Sequence, residues 1–341
     1  MFPYEWQAHP LAYALGRALL HSLWQGAGVA VLLAAALSLL RGRGPQARYA
    51  AACAALGLML LLPALTVWRL GDAPHDSYPA AAEEPAPDGV ASASRQSKGA
   101  AAGVVSHAPA GVEPAQAGGQ SGEGMRRLLP WLALAWLAGV ALLLARMLGG
   151  LVYARRLRRQ GVRAVGEFWQ ERAGEIARRL RLKKTVEVLE SALVQVPTAV
   201  GWLRPVVLLP ASALVGLTPQ QLESILAHEL AHIRRHDYLL NLLQLVAETL
   251  LFYHPAAWWV SGRVRDEREH VCDDLAVRVC GDALTYARAL TRMERLRRAP
   301  SPQVALAASG GNLTARILRL VETEPRRGRP STLAPWFAKA Y

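Results

Sequence analysis

Three long stretches of the chain are apolar and carry no Lys, Arg, Asp or Glu: residues 18–40, 49–68 and 128–145. About 20 consecutive apolar residues in a helix cross the hydrocarbon core of a bilayer. A buried helix of a soluble domain seldom stays uncharged over such a length. The pattern therefore predicts three membrane-spanning helices. A second apolar stretch follows the first almost at once, so we interpret the first as a retained anchor and not as a cleaved signal peptide.

Basic residues flank these stretches unevenly, and this asymmetry predicts the orientation. The short loop at residues 41–48 contains three arginines, and residues 154–163 contain five more. Cytoplasmic loops carry the excess of Lys and Arg, so we expect both segments in the cytoplasm and the N-terminus outside. Residues 71–125 then lie outside, and they contain seven acidic residues against one Arg and one Lys. We expect a multi-pass membrane protein.

Composition divides the chain into five segments. Residues 1–70 hold two spanning helices joined by the short cytoplasmic loop, and residues 126–154 hold the third. Residues 71–125 are rich in Ala, Gly, Pro and Ser without sustained periodicity, which predicts a flexible external loop. Residues 155–325 are expected to form a domain on the cytoplasmic side, and residues 326–341 a basic tail.

The periodicity changes along the predicted domain. Helical spacing of apolar residues predicts a helix over 168–182. The Val-rich stretch 186–210 is broken by Pro and Gly, which predicts short strands with a turn at Gly201. The fold class is therefore mainly α, with three membrane helices and an α+β domain that contains a short β segment.

The second half of the domain is predicted to be helical. Thr218 and Pro219 are suited to the N-cap and first position of a helix that continues to His236. The long apolar stretch 238–260 breaks at His254–Pro255; it fits either a buried helix or one at the membrane interface. Helices are also predicted over residues 261–279 and 283–297.

A formal net charge of +13 accompanies a hydrophobic fraction of 52%. That combination fits a membrane protein whose charges lie outside the bilayer. A basic surface also attracts nucleic acid, but the chain has no recognition motif, so we expect no direct nucleic-acid binding. The three cysteines include no CxxC pair, and two lie in the predicted cytoplasmic part, where thiols stay reduced. Structural disulfides are not expected.

Residues 226–237 read LAHELAHIRRHD and contain an HExxH pattern. On a helix, His228 and His232 lie one turn apart on the same face, where two imidazoles can bind one metal ion. Glu229 adjoins the first histidine, so its carboxylate can take a proton from a water that the metal activates. The alternative is an ordinary helix that carries these residues by chance, since the motif is short. The pattern favours a zinc peptidase with Glu229 as the catalytic base.

A catalytic zinc site needs a third protein ligand, and residues 266–274, DEREHVCDD, are dense in candidates. We assign Glu269 as this ligand. Asp273 lies four residues later on the same helical face and can hold the free N–H of a ligand histidine. The alternative is a solvated charged face, but the apolar run that follows favours partial burial. Rival ligands remain: Glu267, His270 and, less favoured, Cys272.

Other polar residues are candidates for supporting roles. Asp237, nine residues after His228, is a second candidate to orient a ligand histidine. His236 is interpreted as a surface or accessory residue. A group that stabilises the oxyanion is expected, and Tyr253 and His254 are candidates, although a membrane-interface position suits Tyr253 better.

Five segments, taken in order, resemble the BlaR/MecR-type membrane zinc metallopeptidases, also called antirepressor peptidases. They are LLHSLWQGA (19–27), VPTAVGWLRPVVLLP (196–210), LESILAHELAHIRRHDY (222–238), FYHPAAWWV (252–260) and DEREHVCDDLAV (266–277). The resemblance implies a multi-pass protein of the bacterial inner (cell) membrane with a gluzincin-like peptidase domain that faces the cytoplasm. It implies zinc binding by His228, His232 and Glu269, and water activation by Glu229.

The resemblance also implies a role in signalling. Family members couple an outside signal to cleavage inside the cell, often of a dimeric winged-helix repressor of the BlaI/MecI type, and some cleave themselves. Members that sense β-lactams carry a fourth membrane helix and an external penicillin-binding domain after the peptidase domain. This chain ends at Tyr341 and has no external SxxK, so we expect no direct antibiotic sensing.

Three alternatives compete with a signalling peptidase that binds Zn²⁺ and cleaves a protein substrate. A housekeeping protease that clears damaged membrane proteins would use the same site. A zinc-binding scaffold that does not cleave is disfavoured by Glu229, because a structural site needs no base. A basic membrane protein that binds anionic lipid would make the histidines incidental. Membrane lipid is the other expected partner, and the oligomeric state stays open.

Overall fold

The computed structural model describes residues 10–71, 119–297 and 310–323. Most of the predicted external loop (71–125) and the whole predicted basic tail (326–341) lie outside these ranges. Residues 119–125, which were expected in that loop, instead belong to a helix.

Three long helices, α1 (Pro10–Leu39), α2 (Pro45–Gly71) and α3 (Gly119–Leu157), open the described chain. Each contains a segment long and apolar enough to cross a membrane, and this confirms the prediction of three such helices. The segments are Leu11–Gly42, which continues from α1 through the short 3-10 helix Leu40–Gly42, Pro45–Arg69 and Leu128–Leu157. All three helices extend past the uncharged stretches, because a helix pairs its backbone groups equally well outside the apolar region.

The chain forms two compact units. The first comprises Met1–Leu20 and Ala64–Ala135. Within it α1 and α3 approach closely, because a Cβ added at Gly16 would lie 2.6 Å from the carbonyl oxygen of Leu129. The second unit comprises His21–Pro63 and Trp136–Tyr341, and every feature described below lies inside it.

A four-stranded sheet forms one layer of the second unit. Its order is β1-β2-β4-β3, with β2 and β4 parallel and both outer pairs antiparallel. The strands are β1 (Val162–Ala164), β2 (Glu187–Ser191), β3 (Thr198–Val200) and β4 (Val206–Pro210). The strands predicted within 186–210 are confirmed. Strand β1 was not predicted, because three residues are too few to show an alternating pattern. Strand β3 is an edge of this sheet.

Among the described residues, the helices that accompany the sheet are α4 (Glu167–Arg179), α5 (Ala211–Gly216), α6 (Pro219–Arg234), α7 (Asp237–Leu250), α8 (Pro255–Cys280), α9 (Ala283–Leu296) and α10 (Gly310–Thr323). The prediction that α6 continues to His236 is wrong. His236 has φ +57° and turns the chain into α7. The break at His254–Pro255 is confirmed, but α8 begins directly at Pro255 and not at residue 261.

The two larger apolar clusters among the described residues connect the elements of the second unit. The larger one joins β2 and β4 to α4, α6, α8, α9 and α10, and Leu226 and Leu230 of α6 lie in its centre with no exposed surface. The other joins α1 and α2 to α7 and α8, through buried residues such as Leu33, Met59 and Val260. Helix α8 contributes to both clusters and therefore connects the membrane helices to the core around α6.

The connection between α7 and α8 is anchored on the membrane helices. Trp136 of α3 donates from Nε1 to the carbonyl of Leu250 over 2.9 Å. Tyr253 is hydrogen bonded through its hydroxyl to Ser22 Oγ of α1 at 2.7 Å. His254 donates from Nε2 to the Ser22 carbonyl at 3.1 Å, and its Nδ1 accepts the N–H of Ala256 as the cap of α8. Both residues thus have structural partners in α1.

The contact between α1 and His254 leaves no space for a side chain at Gly26. A Cβ added at Gly26 would lie 2.1 Å from His254 Nε2, so even alanine must displace the imidazole. We expect Gly26→Ala to lower the free energy of unfolding by about 1–3 kcal/mol, as overpacking does. Gly28→Ala is the matched control, since a Cβ there meets nothing within 4 Å. Thermal unfolding of the two variants in one detergent checks this, and equal midpoints would contradict it.

Candidate metal centre

Helix α6 holds the HExxH residues in a rigid frame. Thr218 caps the helix, because its hydroxyl oxygen accepts the backbone N–H of Gln221. In return, the side-chain oxygen of Gln221 accepts the backbone N–H of Thr218, and Pro219 occupies the first turn. The residues from Ile225 to Ala231 are all buried. His228 and His232 are one turn apart, and their Nε2 atoms are 3.1 Å from each other. The two imidazoles therefore converge on one point.

Glu269 of α8 completes a group of three. Its Oε2 lies 3.5 Å from His228 Nε2, and its Oε1 lies 3.8 Å from His232 Nε2. One ligand atom from each of the three side chains lies within 4.8 Å of the others, as a shared metal ion requires. Two nitrogens bound to zinc at about 2.05 Å are about 3.3 Å apart in a tetrahedral arrangement. The observed separations therefore fit zinc, and two imidazoles with one carboxylate are a suitable donor set.

The other ring nitrogen of each histidine is already engaged. His232 Nδ1 lies 2.8 Å from Asp237 Oδ2, and Arg235 donates to the same carboxylate. His228 Nδ1 lies 2.9 Å from the Tyr286 hydroxyl and 3.2 Å from Asp273 Oδ1. A proton held on Nδ1 by such partners leaves the Nε2 lone pair free for a metal. The structure thus brings both candidate orienting acids, Asp237 and Asp273, against the candidate ligands.

Arg316 of α10 contacts both acidic residues that α8 contributes to the site, Asp273 and Glu269. Its guanidinium donates to both carboxylate oxygens of Asp273, at 2.9 and 2.6 Å, and lies 3.2 Å from Glu269 Oε2. Tyr286 of α9 also donates to Asp273, at 2.7 Å. Asp273 has no exposed surface, so its charge depends on these partners.

These partners shift the pKa values of the acids. Burial raises the pKa of Glu269, but His228, His232 and Arg316 outweigh it and lower that pKa to about 2. The pKa of Asp273 is held far below its usual range against burial, chiefly by His228 and Arg316. Burial lowers the pKa of His228, yet Asp273 and Glu269 raise it to about 9 in the metal-free chain. The site is therefore built to hold positive charge.

Glu229 lines the same space as the candidate ligands. Its Oε2 accepts the backbone N–H of Ala199 in β3 at 2.9 Å. Burial raises the pKa of Glu229, and the two histidines and the Ala199 N–H only partly offset this. Glu229 lines a cavity of about 470 Å³ together with the three candidate ligands, Asp237 and Arg316. Residues 196–199 form one wall of this cavity.

Comparison with known proteins agrees with this arrangement. A family model described as BlaR1 peptidase M56 matches residues 20–320. The chain belongs to this family. M56 proteins are metallopeptidases, and the membrane-peptidase resemblance expected from the sequence is confirmed.

Two curated relatives match a part of this M56 chain at low sequence identity. The chain is 28% identical over 94 residues to the "Regulatory protein BlaR1" of Bacillus licheniformis, which is 28% of this chain and 16% of that protein. It is 26% identical over 91 residues to the "Methicillin resistance mecR1 protein" of Staphylococcus aureus, which is 27% of this chain and 16% of that protein. The match therefore spans about a sixth of each relative's length.

The rival ligands have other partners in this M56 chain. Glu267 forms an ion pair with Arg48 at 3.0 Å, and His270 Nδ1 lies 3.5 Å from the same carboxylate. Cys272 lies with its Sγ 3.3 Å from Asp237 and 3.4 Å from His232 Nδ1. Cys272 therefore contacts Nδ1 of His232, whereas Nε2 of His232 faces His228. Burial raises the pKa of Cys272 well above its usual range, which favours the protonated thiol in the metal-free chain.

The remaining candidates lie away from the cavity wall. Tyr253 and His254 are held by Ser22, and neither lines the cavity. His236 occupies the left-handed turn between α6 and α7. Sequence analysis did not identify Arg316 and Tyr286. The helical spacing of Leu313, Ile317 and Leu320 was available as a signal for α10, but nothing local marks Arg316 as a partner of Asp273.

Proposed function

We propose that this chain is a membrane-bound zinc endopeptidase, with His228, His232 and Glu269 as zinc ligands and Glu229 as the catalytic base. The observation that carries the proposal is the convergence of these four side chains on one cavity of about 470 Å³. The M56 family supplies the reaction class, since its members are metallopeptidases. Asp237 and Asp273 hold the two ligand imidazoles in the tautomer that binds metal.

The residues of the chain have distinct tasks in peptide hydrolysis. Bound Zn²⁺ would supply a Lewis acid that polarises the scissile carbonyl and lowers the pKa of a water. Glu229 takes the proton of the attacking water and then passes it to the leaving amine. Its burial strengthens its affinity for that proton, and the Ala199 N–H keeps the carboxylate aimed into the cavity.

Strand β3 offers a way to bind an extended substrate. It pairs with β4 on one side only, and the segment at residues 196–199 lines the cavity beside Glu229. An exposed strand edge accepts an added strand through backbone hydrogen bonds, largely independently of side chains. We infer that the substrate lies extended along β3, with the scissile bond at the metal, which suits an endopeptidase acting on a loop or linker.

The domain arrangement belongs to the same proposal. Residues 155–325 form a gluzincin-like HExxH domain on the cytoplasmic side, after the spanning segments within 1–70 and 126–154, with residues 71–125 outside and a basic tail at 326–341. The supporting observation is the exposed arginines where the membrane helices end, Arg41 and Arg43 after α1 and Arg155 and Arg156 at the end of α3. Such clusters mark cytoplasmic ends.

A signalling role follows from the relatives that the chain matches. They are named a regulatory protein and a methicillin resistance protein, and both are partial matches. We propose that this peptidase cleaves a transcriptional repressor of the winged-helix BlaI/MecI type, itself, or both, in response to a signal at the membrane.

Co-expression of the chain with such a repressor from the same organism tests the substrate. We expect a repressor fragment with the native chain and an intact repressor with Glu229→Gln, because the amide cannot accept the proton. Fragments of damaged membrane proteins beside an intact repressor would reject the signalling role in favour of membrane quality control. Intact proteins throughout, with zinc bound, would favour a scaffold that does not cleave.

A further inference from the structure

A second cavity, of about 630 Å³, lies where α3 ends and is lined by arginines. Arg155 belongs to the last turn of α3, Arg158 and Arg159 follow it, and Arg204 comes from the turn between β3 and β4. In the part of the chain that the structure describes, none of these four forms an ion pair with a carboxylate. Four unneutralised guanidinium groups around one cavity attract an anion with several oxygens, such as a phosphate.

The turn that carries Arg204 is fixed in place. Gly201 has φ +96°, which favours glycine, and a Cβ there would also lie 3.0 Å from Arg158 Nη1. Arg158 donates from Nη2 to the Arg204 carbonyl at 2.8 Å, and Lys184 donates to the Trp202 carbonyl at 2.7 Å. Trp202 and Leu203 remain exposed at the tip. An exposed Trp and Leu beside basic residues suit the headgroup level of a membrane.

An apolar groove of about 350 Å³ continues from this basic cavity. The two share Leu151, Ala154, Tyr238 and Leu242 as walls. The groove runs between α3 and α7, past Gly150, and back along the membrane-spanning segment. Its lining is mainly apolar, and Arg146 is its charged member. A charged cavity joined to an apolar groove on a membrane helix matches the two ends of an amphiphile.

We propose that this composite site binds an acidic phospholipid, with the phosphate held by the arginines and an acyl chain lying in the groove. A soluble phosphate or an acidic peptide would use the arginines but leave the groove empty. The exposed apolar surface of α3 continues as far as the arginines, through Leu148, Val152 and Tyr153. Tyr238 also lines the cavity of the metal site, so the bound lipid contacts the residue next to Asp237.

Native mass spectrometry of the purified full chain, titrated with dioleoylphosphatidylglycerol or dioleoylphosphatidylcholine, tests this site. Two pairs of variants separate its two halves. Arg155→Gln/Arg159→Gln removes two exposed charges from the cavity, and Arg41→Gln/Arg43→Gln removes two exposed charges elsewhere at the membrane surface. Gly150→Leu fills the groove and Gly149→Leu is its neighbour outside it; a Cβ meets nothing within 4 Å at either glycine.

We expect the native chain to bind the phosphatidylglycerol more tightly than the phosphatidylcholine. Arg155→Gln/Arg159→Gln should weaken the binding of phosphatidylglycerol about tenfold or more, since each basic residue contributes to headgroup attraction. Gly150→Leu should weaken it about tenfold by displacing acyl methylenes, and both controls should bind like the native chain. Equal losses in both arginine variants would show diffuse attraction and overturn the site. Loss with the cavity arginines but none with Gly150→Leu would assign the cavity to a soluble anion instead.

Discussion

Glu269→Gln is expected to remove zinc from the chain and to abolish peptide cleavage. The carboxylate is the only ligand of the proposed set that α8 supplies, and it lies 3.5 and 3.8 Å from the two imidazole nitrogens. A neutral amide is a weaker ligand, and it no longer offsets the charge of Arg316, which lies 3.2 Å from Glu269 and keeps only Asp273 as its acidic partner in the described part of the chain. Loss of partners that only orient a ligand costs about 10–100-fold in affinity, so loss of a ligand should cost more than about 100-fold.

Two matched variants make that result specific to Glu269. Glu267→Gln removes a nearby carboxylate that pairs with Arg48, and Cys272→Ser removes the thiol against His232 Nδ1. Both should retain one zinc per chain after dialysis against a weak chelator, as measured by elemental analysis, and both should still cleave. Zinc lost from Glu267→Gln or Cys272→Ser but kept by Glu269→Gln would show that the third ligand is misassigned.

Among the substitutions proposed for this chain, Arg316→Met is expected to cause the largest decrease in the free energy of unfolding. Asp273 has no exposed surface and accepts two bonds from Arg316, so the substitution leaves a buried carboxylate with only the more distant Arg319, 3.9 Å away, as a cation among the described residues. Breaking a buried ion pair in this way costs about 3–5 kcal/mol. The measurement is unfolding in excess zinc, because in the metal-free chain a protonated His228 would itself neutralise Asp273.

Two further variants separate charge from packing at Arg316. Arg316→Met/Asp273→Asn removes both charges and should recover much of the lost stability, although its zinc affinity should fall because His228 loses its acid. Arg178→Met is an exposed control on α4 and should change stability by less than about 0.5 kcal/mol. An Arg316→Met chain that unfolds like the native one would contradict the dependence of Asp273 on this guanidinium.

Local periodicity accounts for what could be predicted about the site. His228 and His232 are four residues apart, and so are Glu269 and Asp273, so each pair was expected on one helical face. The structure brings both pairs together, and their roles as ligand and orienting acid stay predictions. The choice of Glu269 over Glu267 depends on the rotation of α8 against α6, which spacing alone does not determine.

Long-range packing accounts for what could not be predicted. Arg316 and Tyr286 reach Asp273 from α10 and α9, 43 and 13 residues away along the chain. No motif near either residue indicates this contact. The end of α6 was also misplaced, because nothing in the polar run RRHD (234–237) marks the left-handed turn that His236 adopts. That turn directs Asp237 back to His232, so a backbone feature that the pattern does not show determines the position of a site residue.

The most direct test of the peptidase assignment compares new protein N-termini in cells that express either the native chain or Glu229→Gln. Both chains should be expressed equally and bind equal zinc, because Glu229 is outside the proposed ligand set. The account predicts a small set of N-termini that is present with the native chain and absent with Glu229→Gln. Identical N-terminal profiles under every inducing stress, with equal expression and zinc, would contradict it.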